Sequence, residues 1–135
     1  MTTPLMYAVQ AAALWSGLLI LMMLVLSGIV VSGRRKHMVS FGDGGHPDLL
    51  AASRAFGNCV EYATPGMAAL GLLALVSGQP WMVHAVGASL LAGRIVHALG
   101  LLLQTGPSIG RVLGMALTWI ALLAAGVGLI AYGVL

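Results

Sequence analysis

Residues 5–31 read LMYAVQAAALWSGLLILMMLVLSGIVV, which is 27 consecutive residues without a charged side chain. About 20 apolar residues in a helix cross the hydrocarbon core of a bilayer, so this stretch is long enough to span it. It is also longer than the apolar core of a signal peptide and follows no basic region, so we expect a retained span. The whole chain is 60% hydrophobic and 7% charged, against roughly 25% charged residues in soluble domains. Sequence composition therefore indicates an integral membrane protein.

Three further apolar segments follow the first. The first break is predicted at Ser32-Gly33, with a glycine-rich loop at residues 41–45 beyond it, and later breaks contain glycine and proline at residues 78–80 and 105–107. Short connections of this kind place sequential helices side by side and antiparallel. The pattern predicts an all-α, integral membrane four-helix bundle that occupies residues 1–135 as a single domain. We expect its helices over residues 5–32, 47–77, 81–104 and 108–134.

Basic residues predict how the bundle is oriented. Arg34, Arg35 and Lys36 follow the first span and Arg111 follows the third break, whereas the N-terminus and the 78–80 turn hold no basic residue. Lysine and arginine mark the cytoplasmic side of membrane proteins, so both termini are expected to face away from the cytoplasm. For Arg34, Arg35 and Lys36, this topological role is an alternative to ligand binding.

Composition argues against two classes of function. The net charge of +3 rests on only six basic residues, and topology together with an anionic ligand explains it better than nucleic-acid binding does. Cys59 is the single cysteine, which excludes an intrachain disulfide and a multi-cysteine metal site. No spacing of histidine and acidic residues predicts a metal site either.

Five of the polar residues inside the predicted spans are the most informative, because charged side chains there are costly and imply partners or water. The second helix carries Arg54, Asn58 and Glu61 at spacings of four and three residues, which places them on one helical face. The third helix carries Arg94 and His97 one turn apart. Each of these two helices is therefore predicted to present a polar stripe.

Counting from the flanking prolines places the two stripes at matching depths. Glu61 and Arg94 each lie about 20 Å from the presumed cytoplasmic end, at 1.5 Å per residue. We therefore predict that Glu61 neutralises Arg94, an arrangement that could also serve only to fix the register of the helices. Arg54 and Arg111 lie closer to the surface and have no further buried acid to pair with, so the surplus of positive charge predicts an anionic ligand.

Small residues within the third and fourth helices predict close packing of these helices. They include Gly87, Ser89 and Gly93 on the third helix and Gly110 and Gly114 on the fourth. A contact between subunits is an alternative use for the same residues.

The polar residues fall in a pattern that resembles one family, the membrane-associated proteins in eicosanoid and glutathione metabolism (MAPEG), over nearly the whole chain. Its second-helix pattern is similar to Arg54-Ala-Phe-Gly-Asn58-Cys-Val-Glu61-Tyr62-Ala-Thr-Pro65, its third helix to Arg94-Ile-Val-His97, and its fourth opens on an arginine as here on Arg111. The bacterial branch of the family is also similar to residues 42–45, 93–101 and 111–118.

This resemblance implies a homotrimer that binds glutathione between neighbouring subunits near the cytoplasmic face, in a bacterial inner membrane. Arg111 would be the catalytic residue that stabilises the glutathione thiolate, and an apolar molecule or lipid would arrive from the bilayer. Glutathione carries two carboxylates, which arginines could hold, and one ammonium group, which suits Glu61. The glutathione-binding residues implied by the family are Arg34, Arg54, Asn58, Glu61, Tyr62, Arg94 and His97.

Three positions depart from the enzymes of the family. Leu101 stands where several of them have a tyrosine, Phe56 where a histidine is usual, and Val112 where the prostaglandin synthase has a serine. The leading hypothesis is a glutathione transferase or peroxidase that acts on hydrophobic electrophiles or lipid hydroperoxides. The alternative is a non-catalytic lipid- or glutathione-binding membrane scaffold. A small transporter is a third possibility, although the chain lacks the internal repeat typical of transporters.

Overall fold

A computed structural model describes residues 3–104 and 106–134 of the 135-residue chain. All four of its helices are long and apolar enough to cross a membrane. The predicted fold class, an all-α bundle of four membrane-spanning helices, is therefore confirmed. The helices are α1 Pro4–His37, α2 Pro47–Ser77, α3 Pro80–Leu102 and α4 Ile109–Val134.

Proline and glycine set most of the helix ends. α1, α2 and α3 each begin with a proline, whose missing N–H is not needed in the first turn of a helix. Gly78 ends α2 in the left-handed conformation, with φ of 60°, which a residue without Cβ adopts at little cost. These signals are local in the sequence, and for that reason the breaks could be predicted from it.

The predicted end of the first helix is wrong, because α1 continues through Ser32 and Gly33 to His37. A glycine inside a helix costs only about 1 kcal/mol relative to alanine, which is too little to stop a long helix. A Cβ atom at Gly33 would lie 3.1 Å from Leu49 Cδ1, so this glycine serves the close contact between α1 and α2. The basic residues predicted for the loop belong instead to the last turn of α1, where they suit the negative end of the helix dipole.

The antiparallel arrangement brings the polar residues of interest to one end of the bundle. At that end, Lys36 of α1 pairs with Asp48 of α2 at 2.9 Å, and Gly100 of α3 lies against the backbone of Arg111. At the opposite end, the Tyr132 hydroxyl of α4 lies 3.7 Å from the sulfur of Met82 in α3. The end that contains Arg111 is called the basic end below.

Small side chains dominate the buried core, whereas many large apolar side chains point outward. Such an arrangement is typical of membrane proteins, because lipid is as apolar as leucine and helices associate through close packing. Gly66 packs against Leu90, and Gly87 packs against the Trp15 ring. The largest fully buried side chain is nevertheless charged, since Arg94 is only 1% exposed.

Candidate functional site

Arg94 lies at the centre of a polar cluster that joins three helices. Its Nη1 donates to Asn58 Oδ1 of α2 at 2.6 Å, and its Nε donates to Thr118 Oγ1 of α4 at 2.9 Å. Its Nη2 is 3.5 Å from the Gly114 carbonyl oxygen, and the guanidinium lies 5.0 Å from the centre of the Tyr62 ring. All these partners are neutral, so the chain holds a buried cation through hydrogen bonds and a cation–π contact.

The predicted ion pair between Glu61 and Arg94 is wrong. Among the described residues the Glu61 carboxylate has neither an ion pair nor a hydrogen bond, and the side chain is exposed. Asn58 and Tyr62 are four residues apart on the edge of α2 that faces Arg94, whereas Glu61 is rotated by about 100° from Tyr62. The predicted level of Arg94 along α2 was right to within one turn, because its observed contacts, Asn58 and Tyr62, lie three residues before and one residue after Glu61.

Arg54 shares the outward orientation of Glu61. The two residues are seven positions apart, which places them on the same side of α2, and both are exposed. The opposite side of α2 is buried and contains Ala55, Cys59 and Ala63. The polar stripe predicted for this helix is therefore divided. Asn58 is bonded to Arg94, Arg54 is exposed in the wall of a cleft between α2, α3 and α4, and Glu61 is exposed without a side-chain partner among the described residues.

Arg111 is fixed in the first turn of α4. Its N–H donates to Ser108 Oγ at 3.2 Å, and its carbonyl accepts from His97 Nδ1 at 3.0 Å. Since a carbonyl can only accept, this contact requires the proton on Nδ1 of His97. The Ser108 hydroxyl donates in turn to the Gly100 carbonyl at 3.2 Å, and Arg111 Nη1 donates to the Gly106 carbonyl at 3.2 Å. These bonds hold the arginine in one place beside α3.

Glycines make this close approach of α3 and α4 possible, as predicted. A Cβ atom at Gly100 would lie 2.7 Å from the Arg111 nitrogen, and one at Gly93 would lie 2.6 Å from Thr118 Oγ1. A Cβ atom at Gly114 would collide with the backbone nitrogen of His97. Side chains at these positions would separate the helices that carry His97 and Arg111.

Two cavities of different character meet at Arg111. The first, called the polar cleft, has a volume of about 200 Å³ and includes the charged Arg54 and the amide Gln104 in its wall. The second, called the apolar groove, has a volume of about 500 Å³ and runs along α4 as far as Trp119. The polar cleft is lined by Pro47, Leu50, Ala51, Arg54, Leu101, Gln104 and Arg111. The apolar groove is lined by His97, Pro107, Ser108, Arg111, Val112, Met115, Ala116 and Trp119.

The structure thus separates the predicted site residues into groups. Asn58, Tyr62 and Arg94 form the buried cluster, whereas Arg54 lines the polar cleft with Arg111. Arg34 lies elsewhere at the basic end, where its Nη1 donates to the Ser40 carbonyl at 3.2 Å. Within one chain, Arg34 and Glu61 are not brought to the polar cleft.

Several residues that shape the site were missed from the sequence. Thr118 binds Arg94, Ser108 positions Arg111, and Gln104 lines the polar cleft. Thr118 could have been found, because it lies seven residues after Arg111 on the same face of an otherwise apolar helix. Ser108 occupies the position before a helix, where serine often accepts from the first N–H groups. Gln104 carried no such signal.

Comparison with known proteins identifies the family of the chain. The sequence model of the MAPEG family matches residues 12–131. Inner membrane protein YecN of Escherichia coli strain K12 is 37% identical over 117 residues, which cover 84% of this chain and 86% of that protein. YecN of Escherichia coli O6:H1 strain CFT073 shows the same identity and coverage. The match to the family model spans all the residues of the buried cluster, the polar cleft and the apolar groove.

Proposed function

The chain belongs to the MAPEG family, and on that premise we propose that it is a membrane-bound, glutathione-dependent transferase or peroxidase. Its substrates would be hydrophobic electrophiles or lipid hydroperoxides. The observation that carries the proposal is the position of Arg111 in the walls of both the polar cleft and the apolar groove. A reaction between a polar thiol and an apolar substrate needs such a boundary, with a cation where the two meet.

The donor set of the polar cleft suits glutathione. Arg54 and Arg111 are both cations, and guanidinium groups bind carboxylates in forked geometry. Gln104 offers amide donors in the same wall. Glu61 is a free carboxylate on the same side of α2 as Arg54 and would bind the ammonium group of the peptide.

The free charges on α2 argue that the site is completed by a second copy of the chain. A charged side chain near the centre of a bilayer costs about 3 kcal/mol, so an exposed Glu61 inside a membrane span needs protein, ligand or water around it. A homotrimer, which the family resemblance implied, would place a neighbouring subunit against this face of α2. Arg34 of that neighbour would then add a third arginine, and within the described residues the Arg34 guanidinium is bound only to the Ser40 carbonyl.

Within such a site the residues of this chain have distinct tasks. Glutathione supplies the thiol nucleophile when it is bound. Arg111 stabilises the thiolate, which is the reactive form, and only one of its five N–H donors is used by Gly106. His97 positions Arg111 through the backbone and, with its proton held on Nδ1, does not serve as a base at that atom. The apolar groove admits the second substrate from the lipid.

Two substitutions that remove the same charge at the same end of the bundle test this proposal. Arg111→Gln should lower kcat/KM for conjugation of a generic aromatic electrophile by about 100-fold, as for the loss of one preorganised oxyanion donor. Lys36→Gln should leave conjugation unchanged, because Lys36 is occupied by Asp48. The measurements are thiolate absorbance and conjugation with the purified protein in detergent. No binding of glutathione at millimolar concentration would overturn the proposal.

One observation favours a second candidate, a non-catalytic lipid- or glutathione-binding scaffold. Leu101 lines the polar cleft where several enzymes of the family have a tyrosine, so that hydroxyl is missing. The nearby Ser108 hydroxyl is already engaged with Gly100 and Arg111. Binding of glutathione without turnover would favour this scaffold over the enzyme.

We further propose that the protein resides in a bacterial inner membrane, as the name of YecN states for that relative. The proposed orientation has the basic end in the cytoplasm and both termini in the periplasm, and it is supported by the positions of Arg34, Arg35, Lys36 and Arg111, which all lie at that end. A C-terminal alkaline phosphatase fusion should therefore be active, whereas an active C-terminal β-galactosidase fusion would reverse the orientation.

A further inference from the structure

The connection between α1 and α2 exposes two large apolar side chains. Met38 is 89% exposed and Phe41 is 95% exposed, the highest values among the large apolar residues of the described chain. Both lie just beyond the end of α1, outside the membrane-spanning helices. Exposed apolar groups in a short polar loop indicate an environment other than bulk water.

Met38 adopts a backbone conformation that costs free energy. Its φ is 55° and its ψ is 36°, in the left-handed region where glycine usually ends a helix. The other positive φ angles in this connection belong to Gly42, Gly44 and Gly45. A methionine at this position costs about 1 kcal/mol more than a glycine would, and its exposed side chain is free to contact a ligand.

A basic hollow lies beside Met38, and Arg35 is its unoccupied cation. The hollow has a volume of about 330 Å³ and is lined by Val31, Arg34, Arg35, Met38, Val39 and Ser40. Arg34 Nη1 is bound to the Ser40 carbonyl, and the adjacent Lys36 is paired with Asp48. The Arg35 guanidinium forms neither an ion pair nor a hydrogen bond with any residue in the described part of the chain. The basic residues here are therefore not equivalent.

We propose that this hollow binds the phosphate of an anionic phospholipid, with Arg35 as its principal ligand and Met38 and Phe41 inserted beside the headgroup. At 1.5 Å per residue, α1 is about 51 Å long, which exceeds the roughly 30 Å hydrocarbon core, so its last turn reaches the headgroup layer. Cations and apolar side chains together suit that layer, where the phosphates lie next to the acyl chains.

The neighbouring face of α1 offers a path for an acyl chain. Gly28 lies seven residues before Arg35 and therefore on the same side of the helix. A groove of about 490 Å³ runs along this neighbouring face, with Val25, Gly28, Ile29 and Ser32 in its wall and Leu102 of α3 opposite. The paired Lys36 and Asp48 line its end nearest the hollow. The groove gives a reason to prefer a lipid over a free phosphate ion, and over another protein, as the occupant.

The proposal is tested by native mass spectrometry of protein extracted from vesicles that contain phosphatidylglycerol and phosphatidylcholine. Arg35→Gln should lower the fraction of protein that retains phosphatidylglycerol by about fivefold, the effect of one basic residue at the membrane surface. Lys36→Gln removes the same charge from the neighbouring position and should lower the fraction of protein that retains phosphatidylglycerol by less than about twofold. Equal losses in the two variants would overturn the proposal, as would equal retention of the two lipids by the unmodified protein.

A second variant separates lipid binding from folding. Met38→Gly relieves the left-handed conformation, so thermal stability in detergent should stay equal or rise. Retention of phosphatidylglycerol should nevertheless fall. Displacement of the lipid by millimolar inorganic phosphate would overturn the proposal in favour of a free anion, and retention unaffected by Met38→Gly and Phe41→Ser would overturn it in favour of contact with a second subunit. None of these measurements depends on glutathione.

Discussion

The buried cluster around Arg94 and the outer face of α2 solve the problem of a charge in a membrane differently. Arg94 is 1% exposed and finds its partners on α2 and α4 of its own chain. Arg54 and Glu61, on the exposed edge of α2, have no side-chain partner among the described residues. A charge satisfied within the chain stabilises the bundle, whereas a charge left unsatisfied indicates what must come from outside. The contacts of the first region therefore stabilise the fold, and the unsatisfied charges of the second are the ones that we propose for ligand binding.

The largest expected effect tests the buried cluster. Asn58→Leu removes the oxygen that accepts from Arg94 Nη1 at 2.6 Å and leaves a buried cation with one acceptor fewer. The free energy of unfolding should fall by about 3 kcal/mol, because hydrogen bonds to charged groups are the strong ones. The measurement is unfolding in dodecyl maltoside titrated with sodium dodecyl sulfate, without glutathione.

The control for Asn58→Leu is a substitution on the exposed edge of the same helix, α2. Glu61→Gln, one turn along α2, should change the free energy of unfolding by less than about 0.5 kcal/mol, as for a surface substitution. If both variants lost the same stability, the division of α2 into an inward and an outward polar region would be wrong.

The next effect concerns the contact that holds Arg111 beside the buried cluster. Gly114→Ala places a methyl group against the backbone of His97 and should cost about 2 kcal/mol of stability, as overpacking usually does. Gly126→Ala is the matched control. Gly126 lies on the same helix, and a Cβ atom there would have no neighbour within 4 Å. That control should leave the protein as stable or slightly more stable, since alanine favours helix over glycine. Equal losses would show that helix propensity, rather than close contact, governs both positions.

A smaller effect is expected on the outer face of α2, and in binding rather than in folding. Glu61→Gln should weaken glutathione binding about tenfold, which corresponds to about 1.4 kcal/mol. Asp48→Asn removes another carboxylate from the same helix, but Asp48 is already bound to Lys36 and His37. Calorimetric titration should therefore give Asp48→Asn an affinity within about twofold of the unmodified protein. A similar loss in both variants would point to general electrostatics instead of a specific contact.

The sequence was sufficient to predict the four helices and the depth of the polar residues. Apolar runs and breaks at Pro47, Gly78 and Pro80 are local signals, and the rise per residue converts spacing into depth. The end of α1 was missed because Gly33 signals a break in a sequence but serves a close contact with Leu49 in the structure. A glycine that ends a helix and a glycine that permits a close helix contact look the same in a sequence. Only the position of the neighbouring helix distinguishes the two.

The partner of Arg94 could not be predicted from spacing alone. Glu61 was the natural choice by charge and depth, but the rotation of α2 turns Asn58 and Tyr62 towards Arg94 instead. That rotation is set by packing of the side that contains Ala55, Cys59 and Ala63, which spacing within one helix does not reveal. Neutral residues can satisfy a buried arginine, so charge complementarity was the wrong criterion for this pair.

The smallest expected effect concerns a neutral pair between helices. Trp15 Nε1 of α1 donates to His84 Nδ1 of α3 at 3.0 Å, and both residues are partly or largely exposed at the surface of the bundle. A double-mutant cycle with Trp15→Phe and His84→Leu should give a coupling energy of about 0.6 kcal/mol, the usual value for such bonds between membrane helices. The cycle is needed because the Trp15 ring also packs against Gly87. That contact changes equally in Trp15→Phe and in the double variant, so the cycle cancels it. A coupling above about 2 kcal/mol would make a neutral peripheral pair as strong as the contacts of Arg94. In that case burial of a charge would no longer distinguish the cluster at the core from the polar contacts at the surface.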